Sequence, residues 1–430
     1  MTDLKNYELC KVFCKRMKIK YIATLCSILL VGYFGYTIQT QRGAYVFIDE
    51  KEFLASSSVA PELEVMEATA VLDTIDYSKD VSKFVRNYSQ FFEQQFDSLK
   101  SIGGAMTIVY KGQTVFCKPY GVKKQWTHDS VNVHTKFRLA SVSKGFAGVL
   151  AVKMASREAI DLDEPIITYL PTLHLSKAYN QGHVTLRHVL SHTSGLLGYS
   201  FDPAVESGYT YHQLYDILYK AKIDALPGER YAYQNVIFSL LDTVLQIRTG
   251  MTYGDLMTEQ IFRPLHMTDA SVGFNGFVAG KNYAYPHKML SAKTLTYKVC
   301  ELNERYYCTA PAAGVNASIS DLAIWLRTIM GYSKYCITKE MIQEIGTPYI
   351  HIPQTTAKYW DNNLESKDYG LGWRVYTYDG EKILYHGGFV QGYRAEVIVW
   401  PEKEIAMARL HIQRKIFLFS QRRESVPSGS

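Results

Sequence analysis

The body of this chain has no block of lysine and arginine, which removes nucleic acid from its expected partners. Its net charge of +6 is modest for 430 residues. Much of that excess sits at Lys11, Lys15, Arg16, Lys18 and Lys20. The seven cysteines include no C-x-x-C pair, so they form no zinc-type or dithiol motif. Cys300 and Cys308 are near enough in sequence to pair with each other. His188 and His192 have the i, i+4 spacing of helical metal ligands, but "HVLSH" lacks the glutamate of H-E-x-x-H. The twelve histidines form no other ligand cluster, so neither a metal nor a cofactor is expected. No internal repeat is visible, which argues against a stacked-repeat architecture.

Charge is also missing from "YIATLCSILLVGYFGYTIQTQ", Tyr21 to Gln41. A basic flank followed by about 20 uncharged, mostly apolar residues predicts a bilayer-spanning helix with its N-terminus in the cytoplasm. A cleaved signal peptide is the competing reading, but the run is long and no small-x-small site follows it. The expected organisation is a basic cytoplasmic segment (1–20), an anchor (21–41), a linker (42–80), a catalytic domain (81–412) and an atypical tail (413–430). The domain would face the periplasmic or extracytoplasmic side.

What is present is ordinary globular material, 47% hydrophobic and 20% charged. Val81, Phe84, Val85, Tyr88, Phe91, Phe92, Phe96 and Leu99 recur at helical spacing, and Gly103-Gly104 reads as the stop of that helix. "AMTIVY" and "TVFCKPYG" around Lys111-Gly112-Gln113 predict a β-hairpin. Residues 155–345 read as mostly helical. "YGLGWRVYTY", "EKILYHGG", "YRAEVIVW" and "EIAMARLHI" then predict an antiparallel meander. The fold class is therefore α+β, with one antiparallel sheet formed by both ends of the domain, flanking helices and a mostly helical insert.

Three segments carry chemistry. In "RLASVSKGFAG", Ser141 and Lys144 are three apart and share one face if the segment is helical. A serine needs a base to become a nucleophile, and a lysine can be that base only if burial or nearby cations lower its pKa. A helix start would also stabilise an oxyanion. An N-cap serine followed by a solvated lysine is the plain alternative. In "PGERYAYQNVIFSLL", Tyr233 and Asn235 can both point into one cleft. In "LYHGGFVQGY", His386, Gly387 and Gly388 lie on a strand whose paired glycines suggest close approach of another backbone or a ligand.

Taken in this order, the chain resembles the serine β-lactamase and penicillin-binding protein superfamily, and most of all the branch of class C β-lactamases, D-alanyl-D-alanine carboxypeptidases and related esterases. There S-x-x-K, Y-x-N and K-T-G or H-x-G line one cleft. "VTLRHVLSHTSGL", "IFRPLHMTDAS", "PAAGVNASISDLAIWL" and "YGLGW" add to the resemblance, which covers about residues 81–410. It implies that Ser141 is acylated, with Lys144 and Tyr233 as the proton-transfer pair. Asn235 would bind the substrate's amide side chain, and His386 would stand near the substrate carboxylate and Tyr233. The N–H groups of Ser141 and Phe389 would form the oxyanion hole, beside Gly387 and Gly388. The expected substrate is a small molecule or peptide: a β-lactam, a peptidoglycan stem or an ester. A non-catalytic module binding peptidoglycan or a protein partner is the alternative. Two departures stand out. A histidine replaces the usual lysine, and "HIQRKIFLFSQRRESVPSGS" replaces a final packing helix, which leaves one sheet face expected to be under-covered.

Overall fold

The computed structural model describes residues 79–412 apart from 99, 177–180, 292, 334–335 and 354–363. The expected anchor, nearly all of the linker and the tail lie outside these residues. Among the described residues no helix is long and apolar enough to cross a membrane.

The chain starts with helix α1 (Lys79–Ser98) and the hairpin β1 (Gly103–Tyr110) and β2 (Gln113–Gly121). Its other end supplies β3 (Ile350–His351), β4 (Leu364–Tyr369), β5 (Arg374–Tyr378), β6 (Glu381–Val390), β7 (Tyr393–Trp400) and β8 (Ile405–Ile412). Together they form one antiparallel eight-stranded sheet in the order β2-β1-β8-β7-β6-β5-β4-β3. The first strand pairs with the last, with Gly104 opposite His411 and Tyr110 opposite Ile405. The sheet built from both ends is thus as the sequence implied.

Alternation along these strands gives the sheet two apolar faces, and each must be covered. Val81, Phe84, Val85, Tyr88 and Phe92 of α1 pack on Met106, Ile108, Ile398, Trp400 and Met407 of the outer face. The expectation of an under-covered face therefore fails over this region, because the N-terminal helix lies there. The expected stop at Gly103-Gly104 is also corrected. The helix ends at Ser98, and both glycines lie inside β1, where a Cβ on Gly104 would come within 2.5 Å of the Leu410 carbonyl oxygen.

The inner face meets the helix Ile319–Ile329, and the same core holds helix α2 (Ser143–Ala155), in which every residue from Ser143 to Met154 is buried. A helix that is mostly apolar all round belongs in the interior. Its two lysines, Lys144 and Lys153, are therefore conspicuous. Gly148 lets the "YGLGW" loop press against α2, since a Cβ there would lie 2.0 Å from the Leu371 carbonyl oxygen.

The regular structure of the insert is mostly helical, as expected, but it is finely divided. Its α-helices span 4 to 11 residues, among them α3 (Asp202–Glu206), α4 (Asn235–Phe238) and α5 (Ile319–Ile329). Two small ladders interrupt them: Phe137–Arg138 with Val315–Ala317 and Ser271–Val272, and His287–Ser291 with Thr296–Val299. Pro and Gly stops in "YLPTL" and "ALPGERY" keep the helices short. Cys300 and Cys308 are both free thiols, so the disulfide allowed by their spacing is not formed.

Candidate active site

Ser141 lies in a 3-10 turn, Ala140–Val142, one step ahead of α2 rather than within it. Ala140 holds the turn at φ +48, a left-handed conformation that costs a non-glycine residue energy and is tolerated where surroundings enforce it. One of those constraints is β6. A Cβ on Gly388 would sit 2.2 Å from the Leu139 carbonyl oxygen and 2.9 Å from the Ser141 nitrogen. The glycine read from sequence as a close-approach site thus brings the β6 backbone against the Ser141 amide. Phe389 follows on the strand with its side chain 54% exposed.

Lys144 is fully buried. Its Nζ donates to Asn235 Oδ1 at 2.7 Å and to the Ala312 carbonyl at 3.0 Å, and reaches Ser141 Oγ at 3.4 Å. Burial drives its pKa well below the ordinary lysine value. The Asp202 carboxylate pulls it back up, and the Arg374 charge pushes it down again. The two carbonyl oxygens can only accept. A neutral amine would give them its two N–H bonds and leave its lone pair for the Ser141 hydroxyl.

Tyr233 closes the other side. Its ring lies 4.6 Å from Lys144 Nζ. Burial raises the phenol's pKa, while the Arg374 charge and the nearby Ser141 hydroxyl lower it. Asn235, two residues on, opens α4. Its Nδ2 donates to both carboxylate oxygens of Asp202, at 2.9 and 3.1 Å. The amide group expected to meet substrate is therefore taken up inside the protein.

His386 is buried behind this group. Its Nδ1 faces the Gly387 carbonyl oxygen at 3.0 Å, so the proton resides there, and Nε2 accepts from the Tyr369 hydroxyl at 3.0 Å. Burial lowers its pKa well below the usual range, with the Arg374 and Lys144 charges acting the same way. It is neutral and holds Tyr369, rather than offering a cation to a carboxylate. Gly387 faces Tyr385, whose hydroxyl would lie 2.8 Å from a Cβ placed there.

Sequence reasoning missed the cation that is present. Arg374, first residue of β5, sits 5.7 Å from the Tyr233 ring and is ringed by Tyr231, Tyr376 and Tyr369. Burial opposes its charge, the surrounding phenols offset that, and the guanidinium stays protonated. Among the described residues no carboxylate pairs with it. It directly follows "YGLGW", but no spacing rule marked it. Asp202, in "SFDP", was also missed. The two weighed histidines part company. His188 caps its helix with Thr185, while the His192 ring packs 4.2 Å from Tyr233 and its Nδ1 accepts the Gln234 N–H. Among the described residues no group of three or more His, Cys, Asp or Glu could hold a metal.

The family model Beta-lactamase matches residues 88–416, about three quarters of the chain. The chain belongs to the Beta-lactamase family. Staphylococcus aureus Protein flp is 24% identical over 316 residues, which cover 72% of this chain and 59% of the relative. Aspergillus campestris unguisins hydrolase ungD' is 23% identical over 333 residues, covering 75% of this chain and 60% of the relative. This chain thus spans about three fifths of the length of these family members. Among solved structures, the octameric penicillin-binding protein homologue of Pyrococcus abyssi superposes with a TM-score of 0.67 at 22% identity, covering 76% of this chain and 73% of that one. A D-stereospecific amidohydrolase of Streptomyces superposes at 0.58 and 20% identity, covering 72% and 89%. These superpositions establish the β-lactamase and penicillin-binding-protein-like α+β fold.

Proposed function

We propose that this family member is a serine hydrolase that cleaves an amide or ester through a Ser141 acyl-enzyme. The observation that carries it is Lys144: an amine stripped of water, pinned by two carbonyl oxygens and 3.4 Å from the Ser141 hydroxyl. Lys144 accepts the serine proton as Ser141 Oγ attacks the substrate carbonyl. Tyr233, in contact with both, passes a proton to the leaving group. The Ser141 and Phe389 N–H groups hold the oxyanion, and each such donor typically supplies on the order of 3 kcal/mol to the transition state.

Arg374 narrows the substrate class. With His386 neutral, it is the charge placed to receive a carboxylate in the cleft. β-Lactams and D-Ala-terminated peptides carry a carboxylate near the scissile amide, and simple esters do not. A carboxylate-bearing amide is therefore the proposed substrate. The run from Tyr21 to Gln41 supports a membrane anchor that holds the domain on the outer side.

The test incubates residues 43–430 and the Ser141→Ala variant with a fluorescent penicillin, a chromogenic cephalosporin and a nitrophenyl ester. Ser141-dependent turnover or labelling by a lactam is the expected result. Equal signals from wild type and Ser141→Ala, or none from either, would sink the hydrolase reading. Arg374→Ala is expected to raise KM for the carboxylate-bearing substrates by about 10–100-fold, and to leave the neutral ester almost unchanged.

A further inference from the structure

We propose that Asp202 is a positioning residue that fixes the Asn235 amide with its oxygen toward Lys144 and places a negative charge behind that amide, so that Lys144 binds its proton more tightly. The inference rests on the reading of Lys144 as the base and adds a residue that the motifs do not contain. Its ground is donor and acceptor chemistry. An ionised carboxylate only accepts hydrogen bonds, so a group facing both of its oxygens must be a donor. Asn235 Nδ2 faces them at 2.9 and 3.1 Å, which forces Oδ1 to the far side, where it takes the Lys144 N–H at 2.7 Å. Ser141, Lys144, Asn235 and Asp202 thus form a line of hydrogen bonds running from the nucleophile to the first residue of α3.

Among the described residues no other group supplies this charge. Around Lys144 stand the Arg374 guanidinium, the neutral His192 and His386 rings and the Tyr233 phenol, and among the described residues Asp202 is the one carboxylate acting on the amine. Around Asp202 stand Lys144, Glu206, Tyr199 and Tyr306, and Glu206 is already bound by the Tyr306 hydroxyl at 3.0 Å. When Ser141 gives up its proton, the ammonium formed on Lys144 is balanced across the amide by Asp202. Neutralising Asp202 should therefore make Lys144 easier to deprotonate and a weaker base. The acid limb of the pH–rate profile would move to lower pH while the plateau falls. A residue that merely supported the fold would lower the plateau without moving the limb.

The test reads Lys144 directly by NMR of the protein with labelled lysines, its side-chain signal assigned by its loss in Lys144→Met. In Asp202→Asn the Lys144 midpoint is expected to fall by about one pH unit, a tenfold change in proton affinity, and Asp202→Glu should recover most of it. An unchanged midpoint in folded Asp202→Asn overturns the proposal. If that variant does not fold, the same coupling is read in reverse, because linkage is reciprocal. The Asp202 carboxyl signal in Lys144→Met should then titrate at higher pH than in wild type, and an unmoved signal overturns the proposal. None of these readouts requires turnover, so failure to find Ser141-dependent hydrolysis would remove the catalytic reading separately.

Discussion

A buried lysine is costly to keep charged, and Lys144 shows how the site exploits that cost. Replacing it by methionine keeps the volume and removes the base, so kcat should fall by about 10²–10⁴-fold in a steady-state assay. In wild type the acid limb of kcat/KM should lie well below the free-lysine value of about 10.4, because burial depresses the amine. Gly388→Ala tests the neighbouring constraint. The added methyl would collide with the Leu139 carbonyl and press on the Ser141 nitrogen, and the strand must shift to relieve it. A displacement on that scale costs on the order of 10²-fold in rate, with the circular dichroism spectrum retained. Ser141, Lys144, Tyr233 and Asn235 were legible because short spacings tie them together in recognisable motifs. Arg374 and Asp202 were not. Arg374 acquires its setting from phenols on several segments, and Asp202 from an amide 33 residues downstream.

Among the elements, α1 was readable from its apolar spacing, and the hairpin from its Lys111-Gly112 turn. What periodicity could not supply was the helix's destination on the outer face. Phe92→Ala should cost about 3–5 kcal/mol in a denaturant titration, since the ring is buried against that face and its loss leaves a cavity. The insert was rightly read as mostly helical, but its subdivision was not legible for a related reason. Its prolines and glycines cut the chain into short helices, and two-residue strands such as Ser271–Val272 are too brief to register. Gly103 and Gly104 were taken for punctuation, yet their role is steric: they let β1 lie close to the backbones around it.

For the molecule as a whole, pH should act through Asp321, which burial pushes up to about 7, with the nearby Asp269 charge adding to the effect. The folded state then holds a proton that the unfolded chain, titrating near 3.9, has released. Asp321's own contribution is fully present below about pH 4 and is lost as pH rises toward 7, on the order of a few kcal/mol, against the opposite trend of His192, His386 and His411, which burial holds neutral. Thermal melts from pH 4 to 7 should therefore show wild-type stability falling relative to that of Asp321→Asn, and a constant difference between the two would count against this role.

The pairing of β1 with β8 has a consequence for biosynthesis. The hairpin leaves the ribosome about 290 residues before its sheet neighbour. Through that interval its open edge has no mate, and β6, which carries Phe389, emerges only near the end of it. Reactivity cannot build up by degrees as the polypeptide lengthens, and a product halted before Ile405 would be inert however faithfully its earlier portions had folded.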